Sequence, residues 1–371
     1  MRRQLHRLAV SGLAAAVLGL VSAGSVQAQE ETYEFSIQTA VPNSSIYFGL
    51  VQDFADRLER MSGGRLQARV LPDGAEVQAF EILDAVSDGI VEAGFAWPHY
   101  WSGQHSSYVL FSNVPASTGM DQDTLMSWYY EGEGHELYTE LTEEIMGYNT
   151  VPFLVQPMGP DPLGWFSQPF ESMEQFRQLK YRAPPGIAGR TYNEMGVPAV
   201  AMPGGEIVPS AERGTIDAAE WIGPADDRAL GLSNIWDYYY LQGLHQQTDV
   251  GEIQFNKDFW ESLPDDLQAI VETAVLASTA KTQNVNLREN SIAVQQYQEE
   301  GIEVRDTPQE YYRAFIEAQN TIIQDYLEAD EFFARVYQSQ ADFAEMVYPY
   351  HSRNMTLWNN LIQEAAEARG E

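Results

Sequence analysis

The first part of the chain alternates short apolar segments with helical ones. Residues 33–39 predict an opening strand, and residues 65–71 predict a second strand in which every other residue is apolar. A helix is expected between them over 45–61, and a further helix, glycine and strand follow over 81–96. Strand, helix, strand, helix, strand is the pattern of a doubly wound α/β fold.

The stretch 204–227 repeats the unit of helix, glycine and strand. A short helix is expected to end at Gly214 in the left-handed conformation, and residues 215–221 then predict a strand that stops before a Gly-Pro turn. Glu220 and Trp221 therefore stand at the carboxyl end of a strand. In open α/β sheets, ligands bind at that end of the strands.

A weaker copy of this unit lies earlier in the chain, over 81–93. Its strand leads into the polar and aromatic run 97–101, which contains Tyr100 and Trp101. Two lobes built from one unit would form a cleft where their strand ends face each other. The alternative is that such units recur by chance, since they are common in any α/β protein.

The second half of the chain predicts further strands and one long helix. Residues 149–156 predict a strand, and residues 179–183 predict another that carries Arg182. A helix without a breaker runs over 264–300. At about 50 Å it would be longer than one small domain is wide, so it is expected to bridge both lobes.

The segment 306–371 predicts two or three helices rich in aromatic residues. Aromatic stripes usually pack into a core, but these are too many for one small interface. We therefore predict that some of these aromatic side chains lie in a homodimer contact. The residues are Tyr311, Tyr312, Phe315, Phe332, Phe333, Tyr337, Phe343, Tyr348, Tyr350 and Trp358.

Residues 1–28 have the three parts of an export signal: arginines, an apolar run over 8–21, and small residues before a cleavage site near Ala28. The apolar run is too short for a good membrane span, and no later stretch is apolar over the roughly 18 residues that a span needs. The mature protein is expected in the periplasm, exported by the general or the twin-arginine route.

Composition limits the possible partners. The chain has no cysteine, which excludes disulfides and thiol chemistry, and its formal net charge of −33 disfavours nucleic acid and anionic membranes. Asp and Glu number 54, and hydrophobic content stays at 44%, so the chain is expected to fold. The charge is spread along the sequence, which favours an acidic surface adapted to high salt over one acidic face for a basic partner.

Several separate segments resemble one known family, the extracytoplasmic substrate-binding subunits of TRAP transporters. The resemblance is closest to the subgroup that binds 2-oxo acids and other small organic acids, and it covers nearly all of residues 33–300. The C-terminal helices match more loosely. The segments are 179–182, 204–207, 214–224, 238–240, 255–257, 263–264 and 266–268.

The resemblance implies a two-lobed α/β fold of the periplasmic-binding-protein type, with a ligand cleft, a long bridging helix and C-terminal helices. It also implies a binding protein rather than an enzyme, which delivers a small organic acid to a small and a large membrane subunit. The expected division is as follows: 1–28 signal peptide; 33–150 with about 246–275, lobe I; 151–245 with parts of 276–305, lobe II; 306–371, C-terminal helices.

The resemblance also implies roles for individual residues. Arg182 would grip the ligand carboxylate, while Glu220, through its carboxylate, and Trp221, through its main chain, would hold a cation that also touches the ligand. Asp161 stands where the family commonly has glutamine. A second carboxylate favours a divalent ion, so Ca²⁺ is expected at least as readily as Na⁺. If Asp161 only shapes its Pro-flanked turn, this preference disappears.

The residues alone leave other interpretations open. Tyr100 and Trp101 are candidates for the opposite wall of the cleft or for the core, Asn43 is a weaker candidate because asparagine is common in turns, and His99 is expected to be a loop histidine. Arg182 could be a solvated strand-end residue, and Glu220 could cap a turn or pair with Arg228.

Two other functions remain as alternatives. The lobe pair could sense a ligand for a signalling partner. Less favoured is an exported hydrolase that uses Asp161 and Glu220 as paired carboxylates, because the chain has no Gly-x-Ser-x-Gly or His-Glu-x-x-His motif.

Overall fold

The computed structural model describes residues 31–369, so the predicted export signal at 1–28 lies outside the described residues. Within them, eleven strands form two sheets. The strands are β1 (Tyr33–Thr39), β2 (Leu66–Leu71), β3 (Ala93–Ala96), β4 (Thr150–Pro157), β5 (Gly164–Phe166), β6 (Tyr181–Arg182), β7 (Ala199–Val200), β8 (Ala218–Ala219), β9 (Tyr238–Tyr240), β10 (Val250–Asn256) and β11 (Glu303–Arg305).

Helices cover both sheets and form the C-terminal part of the described chain. None of them, within residues 31–369, combines the length and the apolar character needed to cross a membrane. They are α1 (Ile46–Met61), α2 (Ile82–Ser87), α3 (Gln122–Glu131), α4 (Gly134–Thr139), α5 (Met173–Phe176), α6 (Ile187–Glu194), α7 (Gly204–Glu212), α8 (Pro224–Leu230), α9 (Lys257–Ser262), α10 (Asp265–Glu300), α11 (Gln309–Ala329), α12 (Glu331–Val347) and α13 (His351–Arg369).

The first sheet has the strand order β2-β1-β3-β10-β4 and forms the base of lobe I. β1 pairs in parallel with β2 and β3, whereas β10 runs antiparallel to β3 and β4. The α/β pattern predicted for the start of the chain is confirmed by β1, α1, β2, α2 and β3. The expected division puts β4 in lobe II from residue 151 onward, whereas its long antiparallel pairing with β10 places it in the first sheet.

The second sheet has the order β11-β9-β5-β8-β6-β7 and forms the base of lobe II. Its strands are only two or three residues long. The strand predicted over 215–221 shortens to β8, and Gly214 ends the preceding helix with φ of 66°, as predicted. β8 pairs in parallel with β6 and antiparallel with β5.

The predicted bridging helix is confirmed as α10, whose 36 residues give a length of about 54 Å. It packs on α1 and β4 of lobe I and on α8 and β11 of lobe II. Asn286 donates from Nδ2 to the carbonyl of Pro157 at 3.0 Å, and Asn290 accepts from the amide of Ala225 at 3.0 Å. One helix therefore bonds to both lobes about one turn apart.

The C-terminal aromatic residues divide into two groups. Those on α11 and the start of α12 are largely buried, and both Phe315 and Phe333 are fully buried. The expectation that these helices hold too many aromatics for the core is therefore wrong for this group, because α11 packs on α6 and α12 packs on α3. By contrast, α13 has no buried residue, and Trp358 is 60% exposed.

A buried carboxylate, Glu252, lies in the middle of β10. Its oxygens accept hydrogen bonds from the indole of Trp101 and the hydroxyl of Tyr138, both at 2.5 Å, and from the amide of Gln254 at 2.7 Å. Burial nevertheless raises the pKa of Glu252 from 4.5 to about 7. The folded protein therefore holds the proton of the Glu252 carboxyl more tightly than the unfolded chain does. The contribution of this protonation to the free energy of unfolding is full below about pH 4.5 and is lost as the pH rises through 7.

We expect Glu252→Gln to remove this pH dependence. Between pH 5 and pH 8, the free energy of unfolding of the wild type should fall by roughly 3 kcal/mol more than that of the variant. At pH 5 the variant should be less stable than the wild type by about 1–3 kcal/mol, because one of the hydrogen-bond donors around residue 252 then faces an amide nitrogen instead of a carboxyl oxygen. Urea unfolding at both pH values measures the difference. Glu34→Gln, at an exposed position on β1, is the matched control. If the free energy of unfolding changes equally with pH in the wild type and in Glu252→Gln, the prediction is contradicted.

Candidate functional site

Arg182 and Glu220 form a buried ion pair at the strand ends of lobe II. Arg182 is the last residue of β6 and lies opposite Ala219 of the parallel strand β8, so Glu220 follows at the same edge. Nη1 of Arg182 donates to the Glu220 carboxylate and, at 3.2 Å, to the Glu220 carbonyl, while Nη2 donates to the Met202 carbonyl at 2.8 Å. The side chain of Arg182 is 2% exposed and that of Glu220 is 1% exposed. Parallel pairing thus brings together the two charged residues predicted at strand ends.

Trp221 covers this ion pair. Its ring centroid lies 5.3 Å from Cζ of Arg182, and the ring of Trp97 from lobe I meets it edge-on at 6.3 Å. On its other side the ring rests on Gly204, where an added Cβ would lie only 2.2 Å from the indole. The indole Nε1 donates to Asp226 at 2.6 Å. Gly204 is therefore required for the position of Trp221.

A narrow cavity lies between these groups, with a volume of about 10 Å³, which is room for about one water molecule. The two lobes both contribute to it. The lining offers one guanidinium and several aromatic faces, which suit a small carboxylate with a flat body once the cavity widens to admit it. The lining includes Trp97, His99 and Tyr100 from lobe I and Arg182, Glu220 and Trp221 from lobe II.

The predicted wall residues separate into one that lines the cavity and two that do not. Tyr100 lines it. Trp101 instead points into the core of lobe I, where it donates to Glu252, and Asn43 is exposed. Residues 98–103 form tight 3-10 turns, in which neighbouring side chains point in different directions. Tyr100 and Trp101 therefore cannot both face the cavity.

Asp161 lies beside Glu220 and belongs to a cluster of three ionisable side chains. One oxygen each of Asp161 and Glu220 and one ring nitrogen of His245 lie within 4.8 Å of one another. Both carboxylate oxygens of Asp161, Oε2 of Glu220 and Nε2 of His245 are buried without a hydrogen-bond partner. Because buried polar atoms are nearly always partnered, this group of atoms fits a bound cation.

Sequence reasoning missed His245. The only available signal was its position, a few residues beyond the segment 238–240 that carries part of the family resemblance. His99, expected to be a loop histidine, is buried and contacts Ser112 at 3.1 Å; it lines the cavity but does not belong to the cluster.

Burial shifts the pKa values of all three residues toward the neutral form. It raises the pKa of Glu220 to about 8, although Arg182 opposes the shift, and it raises the pKa of Asp161, with added repulsion from Asp249. Burial lowers the pKa of His245 to about 3, which leaves a neutral imidazole. The site thus contains more acid than it can ionise without another positive charge, and a bound cation would supply that charge.

Known proteins match this chain over nearly all of its described residues. The sequence model for bacterial extracellular solute-binding protein, family 7, matches residues 35–330. A relative from Nostoc sp. (strain PCC 7120), a monocarboxylate 2-oxoacid-binding periplasmic protein, is 28% identical over 363 residues, which cover 96% of this chain and 98% of the relative.

Two solved structures share both fold and sequence. A TRAP transporter solute-binding protein from Bordetella bronchiseptica, a dimer with calcium and picolinate in one site, has a TM-score of 0.85 at 27% identity over 92% of this chain and 100% of its own. A TRAP periplasmic solute-binding protein from Pseudoalteromonas atlantica, with sodium and pyruvate, has a TM-score of 0.82 at 26% identity over 89% of this chain and 99% of its own.

Two adjacent glycines of α7 allow a matched test of whether the contact with Gly204 holds the ring of Trp221 in place. Gly204→Ala should destabilise the protein by about 1–3 kcal/mol, because the new methyl displaces the indole. Gly205→Ala should be neutral or stabilising by up to about 1 kcal/mol, since its nearest neighbour, Asp73 Oδ2, would lie 3.7 Å from the new Cβ. Urea unfolding compares the two variants, and similar stabilities would contradict the packing described.

Proposed function

The chain belongs to family 7 of the bacterial extracellular solute-binding proteins, and on that premise we propose that it captures a small organic acid, a 2-oxo acid or a related monocarboxylate, between its two lobes. The TRAP resemblance of the sequence is confirmed by the family match and by the solved relatives. The captured acid would pass to a small and a large membrane subunit of a TRAP-type transporter.

The observation that carries this proposal is the position of Arg182. Its guanidinium is buried in a cavity to which both lobes contribute, and it already bonds to a carboxylate, that of Glu220. A ligand carboxylate is the same chemical group and suits the planar donor fork of arginine. Trp221 and Tyr100 would enclose the body of the ligand and exclude water.

A cation would let two anions share this closed site. Glu220 and Asp161 would hold it through their carboxylates, and Trp221 through its main chain. Relatives hold calcium with picolinate or sodium with pyruvate. We propose Ca²⁺ or Na⁺ here as well, and the two carboxylates favour the divalent ion. The cation supplies positive charge that offsets the repulsion between the ligand and the buried acids.

The size of such ligands limits the affinity. An acid of about six heavy atoms, at a ceiling of about 1.5 kcal/mol per atom, binds with at most about 9 kcal/mol. This corresponds to a dissociation constant of a few tenths of a micromolar at best. Nearly every ligand atom must therefore be in contact with protein, which requires a closed cleft.

The cellular setting follows from the family, whose members act outside the cytoplasm. We propose export to the periplasm with signal cleavage near Ala28. The net charge of −33 would keep the folded protein soluble at high salt. Lobe I would comprise residues 33–157 with about 246–275, and lobe II residues 158–245 with parts of 276–305.

We also propose a homodimer formed through α13. This helix has no buried residue, yet apolar side chains line one of its faces at helical spacing. The Bordetella relative is a dimer. A second copy of this chain would cover the stripe formed by Met355, Leu357, Trp358, Leu361 and Ile362.

Substitution of the arginine tests ligand capture. Arg182→Lys should raise the dissociation constant for pyruvate about 10- to 150-fold, because lysine cannot reproduce the charge-assisted fork, which contributes about 1.5–3 kcal/mol. Isothermal titration in the presence of Ca²⁺ or Na⁺ measures this change. Arg213→Lys, at an exposed helix end, is the matched control. Unchanged pyruvate binding in Arg182→Lys, or no carboxylate binding by the wild type, would refute the proposal.

Charge on the last helix tests the dimer. Trp358→Glu combined with Leu361→Glu should convert a dimer into a monomer in light scattering, without loss of pyruvate binding, since no residue of α13 lines the cavity. Asn360→Glu, on the opposite face of α13, should leave the dimer intact. A wild-type protein that is monomeric at micromolar concentration would contradict this prediction.

A further inference from the structure

Two adjacent acids in the first turn of α8, Asp226 and Asp227, are both buried but bond in different directions. Asp227 accepts hydrogen bonds from the amides of Ile222 and Gly223, each at 3.2 Å. It also accepts the indole of Trp165 at 3.0 Å. All three donors belong to lobe II, so Asp227 fixes the turn before α8 without involving lobe I.

Asp226 instead joins the two lobes. Its Oδ1 accepts the hydroxyl of Ser45 and the amide of Ile46, both at 2.8 Å, at the start of α1 in lobe I. Its Oδ2 accepts the indole of Trp221 in lobe II at 2.6 Å. Asp226 is 2% exposed and Ser45 is 5% exposed, so water has little access to these bonds. One carboxylate thus connects the first turn of α1 to the tryptophan that covers Arg182.

The contact on the lobe I side is of a strong kind. Hydrogen bonds to a charged acceptor are roughly twice as strong as neutral ones, and the first turn of a helix attracts negative charge. Ser45 is the N-cap of the 16-residue helix α1, and its Oγ accepts the amide of Tyr47 at 3.1 Å while it donates its proton to Asp226. The start of α1 is therefore ordered for this contact.

The closed lobes leave little room for a ligand, because the cavity has a volume of about 10 Å³. An organic acid can enter only after the cavity widens. Separation of the lobes would break the bonds of Asp226 to Ser45 and Ile46, but it would leave the bond to Trp221 intact, since both partners belong to lobe II. The contact with α1 therefore stabilises only the closed form.

We propose that Asp226 is a positioning residue that couples lobe closure to ligand capture, so that affinity for the organic acid depends on Ser45 and Asp226 although neither lines the cavity. This inference rests on the proposed function, in which the acid binds between the lobes. The apparent dissociation constant equals the intrinsic one divided by the fraction of protein that is closed. A weaker contact should therefore weaken binding without any change in the contacts of the ligand itself.

Removal of the Ser45 hydroxyl tests the contact from the lobe I side. Ser45→Ala should raise the dissociation constant for pyruvate about 5- to 30-fold in isothermal titration with Ca²⁺, because one of the two donors from α1 to Asp226 is lost. Ser172→Ala, which removes the N-cap hydroxyl of α5 within lobe II, is the matched control and should change the dissociation constant by less than about twofold.

A double-mutant cycle tests whether the two side chains act together. Asp226→Asn should also weaken pyruvate binding, because an amide has one acceptor oxygen where the carboxylate has two. Ser45→Ala should then weaken binding by less than about threefold further, since the bond that it removes is already impaired. Effects that multiply in full would show that the two residues act independently and would overturn the inference.

Distances between the lobes test closure without a ligand. The chain has no cysteine, so spin labels on Glu59→Cys of α1 and Glu212→Cys of α7, both exposed, report one distance across the lobes. Dilution with unlabelled protein removes contributions from a second copy. The wild type should show a short distance whose share rises with pyruvate and Ca²⁺. Without ligand, Ser45→Ala should show a smaller share of that distance, and Ser172→Ala should show the wild-type share.

The outcomes separate this inference from the proposed function. If Ser45→Ala matches the wild type in pyruvate affinity and in ligand-free distances, the capture of carboxylates stands and the role of Asp226 is refuted. Equal weakening by Ser172→Ala would also refute that role. If the wild type binds no pyruvate, the proposed function fails and the ligand-free distances decide: a loss of the short distance confined to Ser45→Ala supports the contact, and equal shares overturn it.

Discussion

The arrangement of this protein depends on an excess of buried negative charge between its two lobes. One guanidinium, that of Arg182, faces the carboxylates of Glu220, Asp161 and Asp249, all of which are nearly inaccessible to water. Removing an ion from water costs several kcal/mol unless a partner compensates for it. Glu220 bonds to Arg182, but both oxygens of Asp161 have no partner. The site must therefore take up protons or positive charge, and both the cation and the choice of ligand follow from this requirement.

Short strands in parallel register create this concentration of charge. β6 and β8 pair over only two residues, which is enough to place Arg182 next to Ala219 and hence beside Glu220. Gly164 lies against the same strand end, where its φ is 93° and an added Cβ would lie 2.4 Å from the carbonyl of Ala219. A charged site this tightly packed needs little regular structure, because a few backbone contacts fix the direction of each side chain.

The parts of the fold that the sequence predicted are those with a local cause. Gly214, the long uninterrupted helix α10 and the strand-end position of Glu220 and Trp221 are all visible in one stretch of residues. The remaining features depend on contacts between distant segments. His245 reaches the cluster because β9 pairs with β5. Trp101 turns away from the cavity because Glu252 accepts a hydrogen bond from its indole, and β4 lies in the first sheet because it pairs with β10. Two-residue strands also carry no readable periodicity.

Lobe closure and the binding site share one side chain, Asp226. Its carboxylate accepts the hydroxyl of Ser45 and the amide of Ile46, both at 2.8 Å, at the start of α1 in lobe I. It also accepts the indole of Trp221 in lobe II at 2.6 Å. The first turn of a helix attracts negative charge, so lobe I stabilises this carboxylate only while the lobes are together. Opening the lobes would remove that stabilisation and also the edge-on contact of Trp97 from lobe I with the ring of Trp221. The position of Trp221 is thus coupled to closure, which lets an occupied cavity and a closed protein stabilise each other.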